Sequence, residues 1–456
     1  MSPVFATATA TPVPVVRTAI EVCGGSAVFF TLLLLLGLWR VRRQPRAAAP
    51  TEWPALAILR PCEGSEPGLL ENLRRSATAA YPGPRRVVLL VPSRSDPAYA
   101  VAAAVAAEAP ADPRCTVEVL VTSPRREDNR KVAQLAAALD TCREPVIVTV
   151  DSDVRLEDGD LPALIAELGA VPAGGPRPAA AFASPVETAP RTVWDRASVA
   201  LVGGSPQNFM ALYGLTRLVG GVTAMAGALC ALRRDALIEI GGFDGVRGYL
   251  GEDYELSRRL RARGHGIALS PEPARCTDGG RGARAVLLRV VRWMTVVRAQ
   301  RPLLLITYPL FVAATPLLLA AALAYGTPLL SLFALLLLAT RALLCDGLRR
   351  AHGVRRAPLR ALGLAVLEVL AAEGLLLLAF VGACLTRSVS WRGHRFRIGR
   401  GGALRYEAPP RSRPVRAQAA HVLSKIGGEG VVRPILPVLG DEDPVVAVKE
   451  MSHRSW

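Results

Sequence analysis

Three apolar runs stand apart from the rest of the chain, because they are long and almost free of charge. Residues 22–39 carry no charge and are rich in Phe and Leu, which is about the shortest run that spans a hydrocarbon core as a helix. Residues 302–340 are uncharged, and residues 361–386 are apolar except for Glu368 and Glu373. We expect one span in the first run, two short spans joined near residues 326–328 in the second, and one in the third.

Arginines that directly follow the first run predict its orientation. Arg40, Arg42, Arg43 and Arg46 place residue 47 onward in the cytoplasm. The alternative is a cleaved signal peptide, but such a peptide carries its positive charge before the apolar segment. Four spans would leave the C-terminus outside, whereas the arginines after residue 386 favour the cytoplasm, so the topology of the last span stays open. Its two glutamates either lie at the interface or line a polar cavity.

The stretch 51–283 has a different pattern, in which short apolar runs alternate with helical periodicity. It predicts strands at residues 55–59, 87–91, 117–121 and 146–150, and helices such as 69–80 and 132–139 between them. This βαβ alternation predicts an α/β domain with a mainly parallel sheet covered on both faces. Ligands of such sheets bind beyond the carboxyl ends of the strands.

Composition and charge support a membrane protein. The chain has 55 Lys and Arg against 38 Asp and Glu, a net charge of +17, and 51% hydrophobic residues. The basic excess indicates no nucleic-acid partner, because the soluble stretch has no basic patch interleaved with aromatic residues. The eight cysteines form no CxxC pair, which argues against a disulfide framework or a zinc site and favours a reducing compartment.

Acidic side chains follow two of the predicted strands. Asp96 comes five residues after the second strand, and Asp151-Ser152-Asp153 comes directly after the fourth. Two carboxylates at a strand end suit a hard divalent cation, since Mg²⁺ or Mn²⁺ binds one or two carboxylates together with substrate phosphates. The alternative is a solvated acidic turn. The pattern favours a site for a nucleotide diphosphate.

Two further segments carry candidate chemistry. Glu252 and Asp253 begin a predicted helix that ends near Gly264. These acids suit either a functional site or simple capping of the helix start, and the two interpretations are equally favoured. The glycines of 241–251 indicate a loop that moves or closely approaches a ligand. Residues 284–301 read as a basic amphipathic helix on an anionic membrane surface. It includes the sequence Arg289-Val290-Val291-Arg292-Trp293, whose guanidinium groups suit a diphosphate.

The order of these motifs resembles the family 2 glycosyltransferases, whose signature is a set of separated aspartates followed by (Q/R)xxRW. The segments 58–61, 95–98, 251–254 and 389–397 look like ceramide glucosyltransferase and its bacterial relatives, including the hopanoid-associated glycosyltransferases. The resemblance covers about residues 20–405. It implies a cytoplasmic domain of the GT-A fold, which is Rossmann-like with a mainly parallel sheet, together with α-helical transmembrane segments.

The resemblance also implies a role for each motif residue. Asp253 would be the catalytic base, and Asp151 with Asp153 would hold Mg²⁺ or Mn²⁺. Glu252 and Ser205 would lie on the acceptor side, where Ser205 replaces a His of the ceramide enzymes. Lys131 belongs to a stretch that resembles the family's Asn-x-Lys. The residues implied in donor binding are Pro61, Asp96, Lys131, Asp151, Arg289, Arg292 and Trp293.

The activity so implied is an inverting transfer of a hexose or N-acetylhexosamine, with N-acetylglucosamine favoured, from a UDP-sugar to a lipid hydroxyl. A hopanoid polyol is the favoured acceptor and ceramide the alternative. We expect a multi-pass protein of the inner (cytoplasmic) membrane with its catalytic domain in the cytoplasm. Alternatives of another type are a processive polysaccharide synthase, which would need more spans, and a non-catalytic membrane scaffold.

The predicted organisation ends in a segment beyond the family's usual length. Residues 412–456 resemble a single HEAT-type repeat, which cannot bury its own apolar face and would dock on this chain, a second copy or a protein partner. A disordered tail is the alternative. The predicted segments are 1–46 (anchor), 51–283 (GT-A domain), 284–301 (interfacial helix), 302–386 (transmembrane helices), 387–411 (basic tail) and 412–456 (HEAT-like extension).

Overall fold

The structure of the protein is a computed structural model. It describes residues 13–108, 112–125, 128–170, 175–219, 224–354, 358–386, 388–391 and 394–407. The predicted HEAT-like extension at 412–456 lies outside these residues and stays a prediction.

Strands and helices are numbered separately in chain order. The strands are β1 (Leu56–Pro61), β2 (Arg85–Val91), β3 (Cys115–Val121), β4 (Val146–Val150), β5 (Val154–Arg155), β6 (Pro178–Phe182), β7 (Pro185–Glu187), β8 (Leu229–Arg233), β9 (Gly266–Leu269), β10 (Ala274–Cys276), β11 (Ser388–Trp391), β12 (His394–Ile398) and β13 (Leu404–Glu407). The helices are α1 (Val13–Arg43), α2 (Leu69–Thr78), α3 (Pro97–Ala107), α4 (Arg130–Leu139), α5 (Asp160–Gly169), α6 (Val193–Gly204), α7 (Phe209–Val219), α8 (Arg234–Glu239), α9 (Glu252–Ala262), α10 (Ala283–Gln300), α11 (Pro302–Val312), α12 (Ala314–Tyr325), α13 (Pro328–Ala351) and α14 (Pro358–Leu385).

The main sheet confirms the predicted α/β class. Its strand order is β3-β2-β1-β4-β8-β6-β9. Neighbours pair in parallel except around β8, which runs antiparallel to both β4 and β6. The four predicted strands are β1 to β4, and α2 and α4 are the predicted helices. The rest of the sheet was not predicted, because strands such as β6, with the sequence PAAAF, lack the β-branched residues that identify a strand.

A second, smaller sheet ties three distant loops together. Its order is β5-β10-β7, so that Cys276 pairs with Val154 on one side and with Glu187 on the other. Three residues at or next to these strand ends therefore lie along one edge of the small sheet. They are Asp153 before β5, Thr277 after β10, and Glu187 at the end of β7.

Three of the described helices are long and apolar enough to cross a membrane: Pro14–Arg43, Pro328–Ala351 and Gly363–Leu385. The region 302–340 differs from its prediction of two short spans. A break at Gly326 is present, but α13 continues past Thr340 to Ala351, and the first half divides into α11 and α12 at Ala313. Pro316 explains that division, because a proline near a helix start cannot donate to the preceding turn.

The two glutamates of α14 are paired inside the helices. Glu373 is 1% exposed and contacts Arg341 of α13, with Oε1 2.9 Å from Nη1. Glu368 lies 3.3 Å from Nε of Arg349. Both glutamates are therefore partnered by arginines of α13, and their position relative to the bilayer stays a prediction.

The segment after α14 folds back onto the α/β domain. Strands β11, β12 and β13 form a three-stranded sheet, here called the tail sheet. The backbone N–H of Leu404 donates to Gly248 O at 2.7 Å, and Tyr249 forms an antiparallel bridge with Ala403. The tail sheet therefore packs on the α/β domain, and the membrane topology of the last span stays a prediction.

Candidate active site

The Asp151-Ser152-Asp153 turn lies at the carboxyl end of β4, where the prediction placed it. Asp151 N donates to Ala228 O at 2.9 Å, which ties the turn to the start of β8. Arg60 of β1 is fully buried beneath the turn and donates from Nη1 to Val154 O and from Nη2 to Ser152 O. A buried guanidinium thus holds the backbone of Ser152 and Val154 and supplies positive charge beneath Asp151 and Asp153.

Asp153 is fixed through its backbone, which leaves its carboxylate to the cleft. Thr277 donates to Asp153 O twice, from its N–H at 2.8 Å and from Oγ1 at 3.0 Å. Burial in the cleft, together with the negative charges of Asp151, Glu66 and Asp278, raises the pKa of Asp153 to about 7. The carboxylates here therefore concentrate negative charge that a cation would neutralise.

The acidic pair fits a divalent cation that also binds the donor. Among the described residues no group of three or more His, Cys, Asp or Glu is arranged to hold a metal. A Mg²⁺ or Mn²⁺ site completed by substrate phosphates and water needs only one or two carboxylates, so Asp151 and Asp153 suffice. The donor set, two hard oxygen ligands with excess negative charge, suits such an ion.

Lys131 joins the acidic turn to the start of α9. Its Nζ lies 2.6 Å from Asp151 Oδ1 and 3.1 Å from Glu252 Oε1, and it donates to Gly227 O at 3.4 Å. Burial opposes its charge, but Asp151 and Glu252 together raise the pKa of Lys131 well above its ordinary value. One permanent cation therefore holds together residues that are about 100 positions apart in sequence.

Asp253 is oriented by two backbone donors. Its Oδ2 accepts from Gly227 N at 3.0 Å and its Oδ1 accepts from Tyr254 N at 2.8 Å. Burial and the neighbouring charge of Glu252 raise the pKa of Asp253 to about 6, against the lowering effect of Lys131. A carboxylate with this pKa is mostly ionised at neutral pH and is well matched to accept a proton.

Gly227 leaves room for these contacts, and sequence reasoning missed it. A Cβ added there would lie 3.2 Å from Asp253 Cβ and 3.4 Å from Lys131 Nζ. Its position just before β8 was the available signal, because an isolated glycine at a strand end often marks a close approach. Arg60 and Thr277 were also not assigned roles, since their contacts join distant parts of the chain.

Asp96 and Pro61 lie at the same edge of the sheet as the acidic turn. Pro61 ends β1, and Asp96 caps α3 after β2, so both follow strands next to β4 in the order β2-β1-β4. Asp96 Oδ1 accepts from Gly64 N at 2.8 Å and from Ala98 N at 2.9 Å. The Asp96 carboxylate thus connects the loops that follow β1 and β2.

The arginine motif of α10 adjoins the small sheet. Arg289 Nη1 lies 2.5 Å from Glu187 Oε1, and the guanidinium stacks 4.6 Å from the centre of the Trp293 ring. Glu187 also contacts Arg281 at 2.9 Å. Arg289 is therefore held by Glu187 at the edge where Asp153 lies, and Arg292 is half-buried on the same helix.

Ser205 is not among the described contacts of the acidic cluster. It follows the last residue of α6, is 3% exposed, and its Oγ accepts from Gln207 N at 3.2 Å. The adjacent Gly204 packs against Cys345 of α13. Ser205 thus lies where the α/β domain meets the apolar helices.

Comparison with known proteins gives one family that covers most of the chain. The model of "Glycosyl transferase family 21" matches residues 22–404. Ceramide glucosyltransferase 1 of Caenorhabditis elegans is 23% identical over 258 residues, which are 56% of this chain and 53% of that protein. Ceramide glucosyltransferase 3 of the same organism is 35% identical over 79 residues, or 17% of each chain. The chain thus spans about half or less of the length of these relatives.

Solved structures with a similar arrangement include a mannosyltransferase of Pyrobaculum calidifontis in complex with GDP-Man and Mn²⁺. The two chains are 18% identical, and the match covers 81% of this chain and 99% of the mannosyltransferase chain with a TM-score of 0.44. Residues 1–349 of Staphylococcus aureus TarS, in complex with UDP-GlcNAc, are 12% identical with coverage of 78% and 99% and a TM-score of 0.34.

Proposed function

The chain belongs to glycosyl transferase family 21, and on that premise we propose that it transfers a hexose or N-acetylhexosamine from a UDP-sugar to a lipid hydroxyl with inversion at the anomeric carbon. The observation that carries this proposal is the bridge that Lys131 makes between Asp151 and Glu252. It brings the acidic turn that suits a diphosphate into one cleft with Asp253, which suits a proton acceptor.

The donor is held, in this proposal, at the carboxyl ends of β1, β2 and β4. Asp96 contacts the nucleotide in the loops after β1 and β2, with Pro61 beside it, and Lys131 and Arg292 add positive charge near the phosphates. Arg289 would exchange Glu187 for a phosphate oxygen, with Trp293 as the surface on which it stacks. Asp151 and Asp153 would hold Mg²⁺ or Mn²⁺, which when bound neutralises charge on the departing UDP.

Asp253 removes the proton from the acceptor hydroxyl. Its two backbone hydrogen bonds fix the carboxylate while leaving lone pairs that can accept that proton. The acceptor oxygen forms a bond to the anomeric carbon as the bond to the UDP oxygen breaks on the opposite face. Because this is a single displacement, one base carboxylate is sufficient and no covalent sugar on the enzyme is needed.

A lipid acceptor is supported by the helices that surround the α/β domain. The described chain has three helices apolar and long enough for a membrane, and α10 connects the domain to the apolar helix pair α11 and α12. We propose an inner-membrane, multi-pass protein with a cytoplasmic catalytic domain. N-acetylglucosamine is the favoured sugar and a hopanoid polyol the favoured acceptor, with Glu252 and Ser205 assigned to the acceptor side. Ceramide is the alternative, since the related proteins are named ceramide glucosyltransferases.

The test is a product analysis on the purified full chain in detergent. We expect that a UDP-sugar, Mg²⁺ or Mn²⁺ and a total bacterial lipid extract give a lipid whose mass is increased by one sugar residue. Ceramide and a purified hopanoid polyol as separate acceptors distinguish the two lipid classes. Absence of any glycosylated lipid with every UDP-sugar would reject the proposal, and long sugar polymers would favour a processive synthase.

A further inference from the structure

The tail sheet has its own small apolar core, which includes one residue of the α/β domain. Val389 of β11 and Phe396 of β12 pair across the sheet and are 5% and 1% exposed. Leu250, 8% exposed, completes this cluster, and Val296 of α10 packs against it. Val389 and Phe396 belong to a sequence motif that the proposed chemistry does not use, and they pack beside Leu250, three positions before Asp253.

Backbone hydrogen bonds continue this contact to the loop at residues 248–251, here called the base loop. Leu404 N donates to Gly248 O at 2.7 Å, and Leu250 N donates to Gly402 O at 3.4 Å. Tyr249 lies between them in an antiparallel bridge with Ala403. The tail therefore pairs with the base loop as a short strand would, which fixes the path of the backbone as well as its side chains.

Gln300 links the same two segments at the end of α10. Its Nε2 donates to Gly251 O at 3.3 Å. A Cβ added to Gly402 would lie 2.9 Å from Gln300 Cγ, and one added to Gly251 would lie 2.9 Å from Gln300 Oε1. The glycines at both positions thus permit a close approach, and a Cβ at Gly402 would push on the side chain that donates to Gly251 O.

The opposite side of the base loop is held by the donor-side motif. Asn129 Nδ2 donates to Tyr249 O at 2.8 Å, and Asn129 N donates to Arg247 O at 3.3 Å. Asn129 also caps α4, the helix that carries Lys131. The base loop is therefore held between the donor side and the tail sheet, and Glu252 and Asp253 follow it directly.

We propose that the tail sheet is a positioning element of the catalytic site, and that Gly402 and Gln300 are positioning residues for Asp253. This proposal rests on the proposed function, because it assigns Asp253 as the base. The tail sheet holds the base loop so that the Asp253 carboxylate stays on the N–H groups of Gly227 and Tyr254, facing the acceptor. Donor binding depends on other residues, at the ends of β1, β2 and β4.

Two neighbouring glycines give a matched pair of variants. Gly401 and Gly402 have φ values of 71° and 87°, so alanine is strained at both positions. A Cβ on Gly401 meets nothing within 4 Å, whereas a Cβ on Gly402 overlaps Gln300. Gly401→Ala therefore reproduces the backbone strain of Gly402→Ala without displacing Gln300.

The experiment measures turnover, UDP binding and melting temperature for the full chain in detergent. We expect Gly402→Ala to lower kcat by about 10- to 100-fold, since small misplacements of catalytic groups have effects of this size. UDP affinity should change less than about twofold relative to Gly401→Ala. The acidic limb of the kcat profile should move to higher pH, because loss of backbone hydrogen bonds raises the pKa of Asp253.

Hydrogen exchange gives a readout that does not depend on activity. Amides at 248–254 should exchange faster in Gly402→Ala than in Gly401→Ala. Equal exchange and equal kcat in the two variants would overturn the positioning role, as would a loss of UDP binding and melting temperature parallel to the loss of kcat. If the wild-type chain glycosylates no lipid, the proposed function fails by that result alone. Hydrogen exchange still tests the present proposal in that case, because equal exchange at 248–254 in the two variants would show that the tail sheet does not hold the base loop.

Discussion

Buried ion pairs occur in two regions of this molecule, and their charge balance differs. In the cleft, the Lys131 ammonium group contacts the carboxylates of Asp151 and Glu252 and lies near that of Asp253. Asp153 adds a fourth carboxylate, and the buried Arg60 guanidinium adds a second positive charge. Between the apolar helices, Arg341 meets Glu373 one to one. The cleft therefore has an excess of negative charge, whereas the Arg341–Glu373 ion pair is neutral.

Hydrogen bonding shows the same difference. Arg341 donates to Thr31 of α1 and to the carbonyls of Phe311 and Val312, and Glu373 accepts from the N–H and Oγ1 of Thr315. The backbone groups of Phe311, Val312 and Thr315 lie at the end of α11 and the start of α12, where the helix break removes their usual partners within the helix. The Arg341–Glu373 pair thus completes a divided helix, while the cleft leaves charge that only a ligand can neutralise. A balanced pair satisfies its own charges within the structure, whereas an unbalanced cluster indicates a binding site.

The largest expected effect is the loss of the base. Asp253→Asn keeps the shape of the side chain but cannot accept a proton, so we expect kcat to fall by about 10²- to 10⁴-fold. UDP binding, measured by calorimetry, should be retained. Asp244→Asn, at an acidic residue whose side chain is 64% exposed, is the control and should behave as wild type. Full activity of Asp253→Asn would remove the base assignment.

Breaking the Arg341–Glu373 ion pair should lower the stability of the fold and leave the rate of sugar transfer unchanged. Glu373→Leu leaves the Arg341 guanidinium buried without its counter-charge, which we expect to cost about 3–5 kcal/mol. The yield of folded protein on size exclusion and its melting temperature should both fall. Turnover per folded molecule should stay constant.

The double variant Arg341→Met/Glu373→Leu is the control for this pair. Because it removes both charges, it should recover most of the lost stability. A double variant as unstable as Glu373→Leu would contradict the idea that the uncompensated charge causes the loss.

Removing the bridging cation should weaken donor binding. Lys131→Met leaves Asp151 and Glu252 without their shared partner, and we expect UDP affinity to fall by about 10- to 100-fold. The adjacent Arg130 pairs with Glu63 at 2.7 Å and serves as the control, because Arg130→Met removes a cation outside the cluster. Equal effects of the two substitutions would indicate a general loss of charge and not the bridge.

The smallest expected effect is a pH dependence set by Asp253. Its pKa is raised to about 6 by burial and by Glu252, and the ionised form is the active one. Transfer should therefore rise with pH through this range and fall about tenfold per pH unit below it. A kcat profile on the wild-type chain, with binding held saturating, checks this. A profile flat between pH 5 and 7 would exclude Asp253 as the titrating base.

Local patterns were sufficient for several parts of the site. The strands β1 to β4 and the turn at Asp151 were predictable because buried strands and the acids that follow them are adjacent in sequence. The start of α9 at Glu252 was predictable from the acids of its first turn and the glycine after its end. The break of 302–340 into α11 and α12 was not predicted, although Pro309 and Pro316 were visible, because apolar composition alone does not define helix ends.

The sequence by itself determined the α/β class, the apolar segments and the identity of the candidate acids, because each depends on residues close together in the chain. Only the tertiary structure decided that Lys131 joins Asp151 to Glu252, that Gly227 orients Asp253, and that the tail sheet pairs with residues 248–250. These contacts join segments that are about 25 to 155 positions apart, and which segments meet is decided by the packing of the whole fold. The charge balance of each cluster follows from that packing, and with it the distinction between a structural ion pair and a binding site.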